Sequence, residues 1–209
     1  MRRALELAWE STCAGSFGIG AVIADPAGEV RSTGRNRILE SDPGDDLIAG
    51  SSIAHAEMNA LAKLRYRAHE DDGLRLFTTL QPCIQCLGAI RLSSVRDVVV
   101  LAPDPLFRGI EEIVASHDFI GRNPPTIEHL PATPWTALAL LLPTHLGVLW
   151  GSTPPGWRDG VSSVVALAAE LVTSGELLAI AAARVSLDDV ADRFWPALEH
   201  CVTELEALS

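Results

Sequence analysis

Basic residues are scarce in this chain, and they are not gathered into a run. Lys and Arg total 16 against 27 Asp and Glu, giving a formal net charge of −11 and a pI near 4.9, and the arginines are scattered singly. Polyanions are held by clustered cations that release counterions, so this pattern argues against a nucleic-acid partner. Cysteine is sparse too. Four in 209 residues cannot build a disulfide scaffold, and free thiols point to a reducing, cytoplasmic compartment. No apolar stretch reaches the ~20 residues that cross a bilayer; the longest, 137–150, is interrupted by Pro143. The opening Met1-Arg2-Arg3 has the charge of a signal peptide, but Glu6 and Glu10 break the apolar run that must follow it. Internal repeats and low-complexity tracts are absent.

What is present is enough apolar material, 48% of the residues at a mean hydropathy of +0.22, to fill one domain of ordinary size with an appendage. Leu5, Ala8 and Trp9 share one face of an expected helix over 2–13. An apolar run at 18–24 and a strand-like segment at 30–37, joined through Asp25-Pro26-Ala27-Gly28, read as a hairpin. Residues 38–52 form a long polar loop whose acidic part, 40–46, reads as a solvated turn. Helical periodicity follows from Ala54 to about Ala68, then a strand at 74–80, a helix opened by Pro82 and running to about Ser93, and an apolar, buried strand at 95–101. A helix near 109–117 and a strand at 126–130 complete the alternation, and Pro131, Pro134 and Pro143 bracket a further helix. Elements in this order predict an α/β fold with helices on both faces of a mixed sheet. Pro154-Pro155-Gly156 reads as a linker dividing a domain over 1–150 from a C-terminal helical extension over 151–209. Two stretches there, about 161–184 and 187–207, pair as a helical hairpin, with Pro196 expected to kink or split the second.

Two short motifs carry chemistry. His55-Ala56-Glu57 opens one helix and Pro82-Cys83-Ile84-Gln85-Cys86 opens another, so the candidate ligands fall in first helical turns. Cys83 and Cys86, three apart, are neighbours on one helix face and can grip one metal ion together. Of His55 and Glu57, one ligates and the other works on a metal-bound water. Two thiolates and one imidazole suit zinc, and three protein ligands leave a fourth position for water, the pattern of a catalytic site. Zinc lowers the pKa of its water from ~15.7 towards ~7, and Glu57 can pass the released proton to a departing nitrogen.

His-x-Glu followed by Pro-Cys-x-x-Cys is the signature of zinc deaminases, with the Glu as acid/base. On His55-Ala56-Glu57-Met58-Asn59-Ala60-Leu61 and Thr79-Leu80-Gln81-Pro82-Cys83-Ile84-Gln85-Cys86, with Gly20-Ala21-Val22 and Gly34-Arg35-Asn36-Arg37 in support, the chain resembles the cytidine deaminase-like superfamily. Its branch of tRNA adenosine, guanine and deoxycytidylate deaminases is the most similar. The resemblance covers roughly 2–130. It implies a three-layer α/β/α cytidine deaminase-like fold, one Zn2+ per chain held by His55, Cys83 and Cys86, and Glu57 as catalytic acid/base. It further implies that the backbone N–H of Cys83 helps hold the attacking hydroxide, that the backbone at Ala56 meets the base, and that Asn36 contacts substrate. A homodimer follows from the family habit of building sites at dimer contacts. Gln81 stands where many relatives have Glu.

The expected activity is therefore hydrolytic removal of the exocyclic amino group of a free nucleobase or nucleoside, with ammonia released. An A-to-I deaminase acting on tRNA is permitted by the resemblance and opposed by the charge. A third reading is a non-catalytic scaffold that keeps zinc for folding, closes its site with Cys13, His117 or Cys201, and binds a partner through its C-terminal helices. Phe17 reads as core; His69, His117, His129, His145 and His200 read as surface or capping residues.

Overall fold

The computed structural model describes residues 1–65, 73–118, 121–152, 157 and 160–206. Its centre is a five-stranded sheet in the order β2-β1-β3-β4-β5. Helix α1 (Arg2–Cys13) precedes the hairpin β1 (Gly20–Ala24) and β2 (Val30–Arg35); α2 (Ala56–Ala62), β3 (Arg75–Leu80), α3 (Ile84–Leu92), β4 (Asp97–Ala102), α4 (Ile110–Ser116) and β5 (Thr126–His129) follow. β1 is antiparallel to β2 and β3, whereas β3, β4 and β5 run parallel, so the sheet is mixed as expected. The parallel pairs are joined through α3 and α4, because strands of one direction need a crossover.

Alternation along the strands sorts the core into two faces. Ala21, Ile23, Leu76, Val98 and Val100 pack with Ala56 and Ala60 of α2 and Leu87 and Ile90 of α3. On the other face α1 lies beside α5 (Pro134–Leu149), and α5 is almost wholly buried from Thr136 to Gly147. The three-layer α/β/α arrangement is thus present. α2 can lie close on the sheet because Gly34 has no side chain: a Cβ there would collide with the Ala56 carbonyl and the Ala60 backbone nitrogen. That close approach sets the depth at which His55 and Glu57 sit.

Three expectations are corrected by packing. α5 is not ended by Pro143 but runs through it; a proline there costs ~3 kcal/mol, less than the burial of the surrounding leucines, Leu138 and Leu140 to Leu142, returns. Nor is the last helix split. α8 (Leu187–Glu206) continues past Pro196, which lies on its exposed side, where water can satisfy the freed carbonyl, while Leu187, Val190, Ala191, Phe194, Leu198, Cys201 and Leu205 make a helical stripe into the core. The preceding stretch is the one that breaks: α6 (Ser162–Ser174) and α7 (Glu176–Ala182) meet at Gly175, in the left-handed region at φ 68°, with a bend of 72°. α2 also stops early, at Lys63, whose ammonium turns back to the Thr33 carbonyl and to Asp46. The rest of its expected length, with His69, lies outside the described residues.

The C-terminal helices share one apolar cluster with α1 and α5. Trp9 of α1 donates its indole N–H to the Val185 carbonyl at 2.7 Å. His145, expected at the surface, is 2% exposed within α5, and its Nε2 has no hydrogen-bond partner among the described residues; burial lowers its pKa and keeps it neutral. Glu204 of α8 closes the N-terminus of α6, its carboxylate accepting the backbone N–H and hydroxyl of both Ser162 and Ser163. Burial alone would raise its pKa, but these bonds outweigh it and hold the carboxylate down at about 2. A group depressed in this way stabilises the fold above its unfolded value of ~4.3 and loses that contribution as pH falls towards 2. Glu204→Gln is expected to cost about 1 kcal/mol at pH 7, discounted for solvent screening, and nothing at pH 2, read from urea unfolding at both pH values.

Candidate active site

The four residues of the two motifs meet above the sheet. His55 is the N-cap of α2 and Cys83 the N-cap of α3, both with extended backbone, while Glu57 and Cys86 lie in the first turns. The His55 Nδ1, Cys83 Sγ and Cys86 Sγ atoms form a triangle with all three separations 3.6 Å. Bonds of ~2.3 Å to sulfur and ~2.0–2.1 Å to nitrogen at a tetrahedral angle separate donors by roughly 3.5–3.8 Å, so the triangle fits one zinc ion. Cys13, His117 and Cys201 do not join the group among the described residues, and the site is a three-donor one.

Electrostatics follow from this crowding. The Cys83 thiol is held down at about 4, first by its hydrogen bond with Cys86 and then, against burial, by His55. Cys86 is pushed well up by the same bond, by burial and by the Glu57 charge. The pair thus carries one negative charge, and Cys86 must give up its proton on binding a metal. Glu57 is 3% exposed; burial raises its pKa. Thr78 of β3 donates its hydroxyl to Glu57 Oε1 at 3.1 Å, and the Cys86 sulfur lies 3.4 Å from Oε2. A carboxylate so placed is within reach of any water bound beside the sulfurs.

In front of His55 opens a slot of about 270 Å³ lined mainly by apolar side chains, with Asn36, Asp104, Thr144 and Ser152 as further polar members. Asn36 follows β2 and is 1% exposed; its Oδ1 accepts the Ser16 hydroxyl at 2.9 Å and the Ile38 N–H at 3.1 Å. Both acceptor bonds fix the amide, leaving its N–H2 as the group offered to a ligand. Ala56 is fully buried and is not among the residues lining the slot. Phe17, expected in the core, is half-buried in the slot wall and meets Trp150 edge to face at 6.0 Å.

The acidic loop is only in part the solvated turn expected. Asp46 is 6% exposed and takes Arg37 Nε at 2.6 Å and Lys63 at 2.7 Å, and Glu40 pairs with Arg35 and Arg37. Asn59 of α2 ties the loop down further, bonding Leu47, Ile48 and Arg35 main-chain groups. Glu40 and Asp46 are spent on internal pairs, whereas Asp42 and Asp45 are exposed. Gln81 is explained in the same terms: its Oε1 accepts the Asp104 N–H and its amide donates to Glu111 Oε1 at 3.2 Å, a contact a second carboxylate would oppose. Gln81→Glu is therefore expected to lower the melting temperature by several degrees, and Glu111→Gln in the same chain to restore it; a double-mutant cycle without coupling would refute this.

Residues 1–102 match the cytidine and deoxycytidylate deaminase zinc-binding region. A tRNA-specific adenosine deaminase of Aquifex aeolicus is 31% identical over 118 residues, 55% of this chain and 68% of that protein. The chain belongs to the cytidine and deoxycytidylate deaminase family. A tRNA-specific adenosine deaminase of Haemophilus influenzae is 37% identical over 110 residues, which is 50% of this family member but only 57% of the Haemophilus protein. The fold is that of a structure from work on A-to-I editing by tRNA:A34 deaminases at the wobble position of transfer RNA, with TM-score 0.50 at 24% identity, covering 62% of this deaminase-family chain and 95% of that one. The zinc-binding reading of His55, Cys83 and Cys86 is that of the family. The expectation that nucleic acid is excluded finds no support in these relatives.

Sequence reasoning missed Thr78, Ser16, Asp104 and the slot residues beyond 130. Asp104 alone had a signal: it follows a central parallel strand at its C-terminal end, where α/β folds place ligands.

Proposed function

We propose that this chain is a zinc-dependent hydrolytic deaminase that replaces the amino group of a nucleobase ring by oxygen, and that its substrate is adenosine within tRNA, giving inosine. The observation that carries the chemistry is one buried carboxylate, Glu57, beside a three-donor cluster whose His55 lines a mainly apolar slot. Zinc held by His55, Cys83 and Cys86 supplies Lewis-acid activation of water when bound. Glu57 takes the proton lost as that water adds to the amino-bearing carbon and delivers it to the departing nitrogen; one water enters and one ammonia leaves. Asn36 offers its amide N–H to a ring acceptor.

Two observations support tRNA as the substrate. The relatives named above are tRNA-specific adenosine deaminases. Arg65 and, some way further along the sequence, Arg91 and Arg96 line one cleft of about 710 Å³ with residues of α2 and α3, a place for backbone phosphates. A free base or nucleoside is the second reading, favoured by the small slot and the net charge of −11. Ammonia release from zinc-replete protein, measured on tRNA and on a panel of free bases and nucleosides, separates them. Turnover of tRNA that falls steeply with salt supports the first; turnover of a small molecule alone replaces it with the second; zinc binding with no turnover of any refutes the enzyme.

A homodimer is the proposed assembly, supported by the exposed, neighbouring Ile53 and Ile84 at the starts of α2 and α3 and checked by sedimentation. The proposed location is cytoplasmic: the four cysteines are unbridged, and among the described residues no single helix is long and apolar enough to cross a membrane.

A further inference from the structure

The family region ends at residue 102, yet the slot is not built by that part of the chain alone. Pro143, Thr144 and Gly147 of α5, then Ser152 and Trp157, line it together with Asn36 and His55. Trp157 is 6% exposed, and its indole N–H donates to Asp104 Oδ1 at 3.1 Å; the same oxygen accepts the Leu106 N–H at 2.9 Å. The main-chain N–H of Asp104 is held in turn by Gln81 at 3.1 Å. Asp104 is thus fixed at its backbone and at one carboxylate oxygen. The other oxygen makes no hydrogen bond among the described residues, and Asp104 lines the slot. That oxygen is not sealed from solvent, and Asp104 also borders a second pocket with Gln81 and Arg108, so the oxygen is open to a ligand group in place of water. Burial, outweighing these bonds, pushes the Asp104 carboxyl up to about 6, which leaves it charged at neutral pH and a strong acceptor.

We propose that Trp157 is a positioning residue of the substrate site: its indole N–H aims the open oxygen of Asp104 at an N–H or O–H of the bound nucleoside, and Pro143, Thr144, Gly147, Ser152 and Trp157 form the wall the ring packs against. This deepens the deaminase reading and rests on it. A staple that merely ties the extension to the sheet would explain the same hydrogen bond, and the two differ in what they predict. Trp157→Phe keeps the ring and removes the donor. Binding of adenosine and of an anticodon stem-loop RNA carrying a wobble adenosine is measured by calorimetry on zinc-loaded Glu57→Ala protein, so that no turnover is needed, with and without Trp157→Phe.

The expected result is about tenfold weaker binding of the probe that the parent protein binds, with zinc content unchanged. In the active enzyme the same substitution raises KM and leaves kcat within about twofold, the pattern of an interaction made equally in ground and transition states. Adding Trp157→Phe to Asp104→Ala has no further effect on binding, because the positioned group is already gone. Unchanged affinity with a lowered melting temperature overturns the proposal in favour of the staple, as does additivity of the two substitutions. Failure of the deaminase reading is seen elsewhere, as absence of ammonia release by the unmutated protein.

Discussion

Glu57→Gln is expected to lower ammonia release by about 10³-fold while zinc content stays at one per chain and the melting temperature stays level or rises. The loss follows from the role of the carboxylate: general acid–base groups contribute roughly 10²–10⁴-fold, and an amide of the same shape cannot accept a proton from water or return it to nitrogen. The level or raised stability follows from its surroundings. Glu57 is buried, its pKa is raised by desolvation, and the Thr78 hydroxyl that serves it is shared with the Leu80 carbonyl. A charge kept in such a place destabilises the fold, and its removal relieves that cost. Activity within tenfold of the parent would remove Glu57 from the proton path. A fall in melting temperature matching the fall in activity would make it a packing residue.

Cys86→Ser should empty the metal site. Cys86 has no exposed surface, and its sulfur is 3.6 Å from both other donors; a serine hydroxyl is a poor ligand for zinc where a thiolate is a good one. Zinc measured by atomic emission is expected to drop below about a tenth of an equivalent, and turnover with it. An ion present at ~1,000 times its Kd stabilises by about 4 kcal/mol, which for a chain of this size is a melting shift of about 10 °C. The unmutated protein should lose a comparable amount in a strong chelator, and the variant should lose nothing more. Retention of a full equivalent of zinc by the variant would show that the metal sits elsewhere.

The alternation of strands and helices through residue 130 was legible because each element there buries one face, so the period of its apolar residues reports its conformation. The two ligand motifs were legible for a related reason. His55 and Glu57, and Cys83 and Cys86, are each brought together by local helical geometry, which short spacing encodes. Wherever the outcome depended on what an element packs against, sequence reasoning went astray. The expected helix end at Pro143 failed because α5 is enclosed on all sides, and the expected split at Pro196 failed because that proline faces water. Glu40 and Asp46 read as a solvated turn because their partners, Arg35, Arg37 and Lys63, are ordered around them only by the fold.

By itself the sequence indicated the α/β class through local periodicity, and it supplied the two motifs, with spacings of two or three residues, that hold the proposed zinc ligands and acid/base. Only the tertiary structure decided that Asp104 and Trp157, 53 positions apart, share a hydrogen bond at the slot, and that Arg65, Arg91 and Arg96 line one cleft. Contacts of that kind are made by the burial of whole helices against a sheet, a long-range balance of packing that no short stretch of residues contains.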